Sequence, residues 1–271
     1  MAVPRPTKAE KRQARKVTKT KPKTTTTQSE ASLPPLTAKN LSQSRYLSGI
    51  QKFQQIFALG PAGAGKTYIA THYAVKEIIE ERCKKFIVAR PMISSDKSEN
   101  IGFLPGDLNM KFTPWAIPIL DVIERLVGKV RAQEWLRKGI VEFAPFQFMR
   151  GRTFGEDTIV LLDEAQNCTI EQLRLFVTRL GDCKAIISGD PQQVDIRNSG
   201  LERLVAMAQK NRIEVSICTF RPSDIVRSKI CQEWVEAFSL DTEAETEHSI
   251  NFLSRPAPNA LFENMQLYEA D

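Results

Sequence analysis

The run Gly60-Pro61-Ala62-Gly63-Ala64-Gly65-Lys66-Thr67 limits what this chain can fold into more than any other stretch. It has the form G-x-x-x-x-G-K-T, and its flanks are the ones that form needs. Gln55–Leu59 before it is a short apolar strand pattern. Tyr68–Ile79 after it repeats its apolar positions at helical spacing. Strand, glycine-rich loop and helix make a phosphate-binding loop. The glycines let backbone N–H groups turn inward around a phosphate, and the new helix aims its positive dipole end at the same place. Lys66 is expected to reach the β- and γ-phosphates, and the Thr67 hydroxyl to bind Mg²⁺.

The rest of the chain alternates strand and helix patterns. Strands are expected at 55–59, 85–89, 140–144, 158–162, 184–188 and 213–217. Helices are expected at 38–50, 65–82, 115–127 (interrupted by proline), 131–138, 169–180, 200–210 and 223–239. This order predicts an α/β fold: a mainly parallel sheet covered by helices on both faces. Ligands of such sheets bind at the carboxyl ends of the strands.

Two further strand ends carry candidate chemistry. The fourth strand runs into Asp163-Glu164, where Asp163 would complete the Mg²⁺ shell beside Thr67. Glu164 would orient and polarise an attacking water, which favours hydrolysis over transfer to a small acceptor. The fifth strand runs into Gly189-Asp190-Pro-Gln-Gln193, placing Asp190 and Gln193 beside the γ-phosphate, where a neutral amide senses the phosphate or its water. Arg227 is expected early in the last helix, too far from its own loop to act in cis. It is either a transition-state arginine supplied across a subunit boundary or a surface ion-pair residue. No Asn-Lys-x-Asp is present, which favours ATP over GTP. His72 reads as a packed helix residue, and His248 falls in the C-terminal tail.

Charge is uneven. Residues 1–30 carry nine Lys/Arg and two acids, and residues 241–271 carry one Arg and seven acids. The expected organisation is a disordered basic tail over 1–36, an ATPase domain over 37–240 and an acidic, poorly ordered tail over 241–271. The basic tail is either a salt-sensitive attraction to nucleic acid or a solubilising arm. No apolar run long enough to span a membrane is present, and no apolar core follows the basic residues as in a secretory signal. Five scattered cysteines without a C-x-x-C pair fit a reducing cytoplasm.

Together these motifs closely resemble the PhoH-like ATPases. The resemblance rests on Gly60–Thr67, Arg90-Pro91, Gly102-Phe-Leu-Pro-Gly-Asp107, Met149-Arg-Gly-Arg-Thr153, Leu162-Asp-Glu-Ala-Gln-Asn167, Gly189–Gln193, Ser199-Gly-Leu201 and Asp224-Ile-Val-Arg227, and spans about residues 38–235. It implies a RecA-like P-loop NTPase fold, ATP hydrolysis with Mg²⁺, and a ring-like homo-oligomer, a hexamer favoured, acting on RNA or single-stranded DNA. It places Gln43 as the adenine-reading glutamine and Arg227 as the trans-acting arginine. Arg150 and Arg152 become phosphate, RNA or subunit contacts. Longer family members carry an RNA-cleaving PIN domain in front; here a basic tail precedes the ATPase, so no nuclease activity is carried over. Too few residues follow the sixth strand for a second motor domain, so a strand-moving site would need a neighbouring subunit. The competing readings are a nucleotide-gated assembly protein that does not remodel nucleic acid and, more weakly, a small-molecule kinase.

Overall fold

The computed structural model describes residues 33–91, 113–149, 151–238 and 240. The expectations placed on residues 1–32 and 241–271, on Gly102–Asp107, on Arg150 and on His248 lie outside the described residues.

Six parallel strands form one sheet: β1 (Gln55–Leu59), β2 (Lys85–Arg90), β3 (Val141–Pro145), β4 (Thr158–Leu162), β5 (Lys184–Gly189) and β6 (Ser216–Thr219), in the order β3-β2-β4-β5-β1-β6. The helices are α1 (Leu41–Lys52), α2 (Lys66–Ile79), α3 (Thr113–Val127), α4 (Lys129–Arg137), α5 (Ile170–Val177), α6 (Leu201–Lys210) and α7 (residues 229–238). Successive strand side chains point to opposite faces. Ile56, Ala58, Phe86, Val88, Ile159, Leu161 and Ile186 pack with α1 to α4. Phe57, Leu59, Ile87, Ala89, Val160, Leu162 and Ile187 pack with α5 and α6. A sheet buried on both faces explains why its strands read as continuous apolar runs.

Local signals set the helix ends. The Asn40 side chain accepts from Gln43 N at 2.8 Å and caps α1. Thr169 and Gln172 form a capping box on α5. Lys184 Nζ donates to Ile50 O at 2.5 Å and Phe53 O at 2.8 Å, tying the end of α1 to the start of β5. Leu33 and Leu36 pack on the first core, and His72, buried as expected, meets the Pro34 carbonyl at 2.9 Å.

Two expected elements differ. The sixth strand begins at Ser216 and not at 213. Ile213 N instead closes the end of α6 on Ala208 O, and β6 finds its register with Ile56 opposite Ser216. The last helix begins at 229 and not at 223. Pro222–Asp224 is a single 3₁₀ turn, and Val226 N donates to Gly63 O at 3.1 Å, outside any helix.

The sheet is parallel throughout, with the glycine-rich loop after β1, the acidic pair after β4 and β5 between them. This is the RecA-like P-loop NTPase arrangement.

Candidate nucleotide site

The loop after β1 folds as its glycines require. Gly60, Gly63 and Gly65 have φ of 132°, 88° and 89°, a region costly for other L-residues. A Cβ at Gly60 would also stand 2.3 Å from Phe220 O. Gly60 N donates to Gly189 O, which anchors the loop to β5. Lys66 is buried, and its ammonium donates to Gly60 O at 2.5 Å and Pro61 O at 2.9 Å. Burial lowers its pKa, against Asp190, Asp163 and Glu164, which raise it; Arg227 adds to the lowering.

Thr67 Oγ1 donates to Asp163 Oδ1 at 3.1 Å, so the first helical turn of α2 meets the end of β4. Asp163 is buried. Its pKa is raised, first by desolvation and then by Glu164, while Arg90, the Thr67 hydrogen bond and Lys66 act against this. One hydroxyl and one carboxylate side by side suit Mg²⁺, which takes few protein oxygens and completes its shell with water and phosphate. Among the described residues no cluster of three or more His, Cys, Asp or Glu forms a dedicated metal cage.

Glu164 holds a left-handed conformation, φ 54° and ψ 40°, uncommon for a non-glycine residue and typical of functional sites. Its carboxylate is held at both oxygens. Gln166 Nε2 donates to Oε2 at 2.6 Å, and Arg90 Nη2 lies 3.6 Å from Oε1. Gln166 is buried and joins two strands' loops: its Nε2 also donates to Gln193 O at 3.0 Å, and its Oε1 accepts from Asp190 N at 3.0 Å. Asn167 pairs likewise with Asp195, in both directions at 2.9 Å. Within the loop, Asp190 Oδ1 accepts from Gln192 N and Asp190 O from Gln193 N. Sequence reasoning included Gln166 and Arg90 in family motifs without giving them a role.

Arg227 corrects an expectation. The chain from Phe220 is pinned to its own phosphate loop by Val226 N–H on Gly63 O. Asp224 is tied to α1, its carboxylate accepting from Ser42 Oγ at 2.7 Å and its carbonyl from Asn40 Nδ2 at 3.0 Å. The Arg227 side chain lies over Gly63, whose added Cβ would meet Arg227 Cδ at 3.0 Å. Arg227 therefore lines the cleft of its own chain, with no ion pair of its own among the described residues.

Lys66, Thr67, Asp163, Glu164, Asp190, Gln193 and Arg227 line one cleft of about 650 Å³ with Ala62, Gly63 and Gly65. Gly60 and Pro61 face a second, smaller cleft, and Ala64 is buried. Gln43 lines neither cleft. Its amide is engaged by the protein, Oε1 accepting from Lys39 N at 2.8 Å and Nε2 donating to Ala64 O at 3.0 Å. Arg152, away from the cleft, pairs with Glu142.

Fold and cleft define a nucleotide-binding protein of the P-loop NTPase type. The family model for PhoH-like proteins matches residues 35–239. Protein PhoH of Escherichia coli K12 is 42% identical over 211 residues, which is 76% of this chain and 58% of the relative. A PhoH-like protein of Synechocystis is 38% identical over 206 residues, 74% of this chain and 61% of the relative. The chain belongs to the PhoH family. It spans less than two thirds of the length of these relatives. Among solved structures, the UvsW helicase of bacteriophage T4 aligns over 69% of this chain and 61% of its own, at 13% identity and a TM-score of 0.44.

Proposed function

We propose that the chain is a Mg²⁺-dependent ATPase that acts, as a homo-oligomer, on RNA or single-stranded DNA. The observation that carries the hydrolytic part is the meeting of Lys66, the Thr67–Asp163 pair and a Glu164 held by Gln166 in one cleft.

In this reading, loop N–H groups and Lys66 bind the phosphates. Thr67 and Asp163 would hold Mg²⁺, which supplies charge neutralisation to the leaving phosphate oxygens. Glu164 orients a water and accepts its proton as the water oxygen bonds to the γ-phosphorus and the bond to ADP breaks. Gln166 fixes the carboxylate and also the 190–193 loop that presents Gln193. Arg227 adds positive charge from the same subunit as the transition state forms. The Gln43 amide, engaged with Ala64, supports the loop from behind.

Single-stranded nucleic acid as substrate is supported by the basic composition, net charge +6, and by the arginines of the cleft. The test is steady-state ATP hydrolysis with and without single-stranded RNA at low salt. Stimulation that fades as salt rises is expected. Unchanged turnover would favour a nucleotide-gated assembly protein, checked by mass measurement with and without an ATP analogue.

A further inference from the structure

The cleft extends beyond the phosphate loop and the acidic pair. The loop sits on β1 and Glu164 on β4, yet the cleft continues to Arg90 on β2, one strand further, and to α3, which flanks α2 on the side towards β3. That extension is walled by Trp115, Pro118, Ile119 and Val122, with Arg125 at its rim. Tyr68, half-exposed in the first turn of α2, faces the same space. Arg125 has no ion pair among the described residues.

We propose that this extension binds a short stretch of unpaired nucleic acid, and that the strand controls hydrolysis through Arg90. The inference rests on the nucleic-acid part of the function proposed above. Aromatic and apolar surfaces beside guanidinium groups match the two parts of an unpaired nucleotide: a base face to stack and a phosphate to pair. A duplex keeps its base faces inside its own stack. A strand phosphate between Arg125 and Arg90 competes with Glu164 for the Arg90 guanidinium. The present Arg90–Glu164 separation of 3.6 Å marks a loose pair that a phosphate displaces. Glu164, released from Arg90 and still held by Gln166, is free to turn to the water.

The experiment uses the full chain with 12-mer oligo(U) and oligo(dT), following ATP turnover and anisotropy of the labelled strand. Both oligomers are expected to bind and stimulate, because rings and guanidiniums read base faces and phosphates. Arg125→Ala is expected to keep basal turnover, to weaken strand binding about 10-fold, and to reduce the salt slope by about one. Arg90→Gln is expected to raise strand-free turnover towards the stimulated rate and to abolish further response. A response to one oligomer alone supports the site only if Arg125→Ala removes it. Arg125→Ala that binds and responds like wild type would overturn the site while leaving the proposed function intact. Falling turnover in Arg90→Gln would overturn the coupling. Equal stimulation by poly-glutamate would overturn the nucleic-acid assignment. If wild type hydrolyses ATP but ignores both oligomers, the nucleic-acid part of the proposed function falls with this inference.

Discussion

At the scale of single residues, the site depends on a buried amide, Gln166, that fixes the Glu164 carboxylate. Gln166 spends both ends of one buried amide on Glu164 and the 190–193 loop. Gln166→Ala is expected to lower kcat about 10-fold with nucleotide affinity nearly unchanged, since misplacing a catalytic group affects the transition state more than ground-state binding. An unchanged kcat, read by steady-state kinetics beside a binding titration, would reject that role. Arg227→Ala is expected to lower kcat by about 10³-fold. Because Arg227 lies on its own loop, an equimolar mixture of Arg227→Ala and Glu164→Gln should not regain activity; recovery on mixing would restore the trans assignment. Lys66, Thr67, Asp163 and Glu164 were legible because each lies in a contiguous motif at a strand end. The contacts of Gln166 with the 190–193 loop and of Arg90 with Glu164 were not, because each joins residues at or just beyond the ends of different strands.

At the scale of elements, strands buried on both faces were legible as apolar runs, and β1 and β4 fall where the pattern put them. The last helix was not. Its apolar spacing continues back to residue 223, but one tertiary hydrogen bond, Val226 N to Gly63 O, takes the segment for the nucleotide site. The sixth strand shifted because α6 claims Ile213. The loop's close approach to Phe220 makes Gly60 irreplaceable: Gly60→Ala is expected to destabilise the fold by about 2 kcal/mol, read by urea unfolding. A midpoint unchanged from wild type would show that the approach relaxes without cost.

At the scale of the molecule, the edge of the sheet is clamped by charge. Glu142 on β3 pairs with Lys85 on β2 at 2.6 Å and Arg152 at 2.5 Å. Burial pushes the Glu142 carboxyl up, but its hydrogen bonds to Arg152 and Lys85 outweigh this and hold it below the ordinary value of 4.5. A depressed folded pKa gives stability that is fully present above the ordinary value and is lost as pH falls through the folded one. Glu142→Gln is therefore expected to cost about 1 kcal/mol at pH 7 and progressively less below pH 4.5. Melting curves of both proteins across that range check it; a pH-independent difference would assign the loss to packing. Among the described residues no helix is long and apolar enough to cross a membrane.

The most direct measurement is ATP binding and Mg²⁺-dependent ATP turnover of the wild-type chain beside Glu164→Gln. Wild type is expected to hydrolyse ATP, and the variant to bind it as tightly while turning over about 100-fold more slowly. Equal turnover in the two proteins, or binding without hydrolysis in wild type, would contradict the account of Glu164 as the residue that activates water.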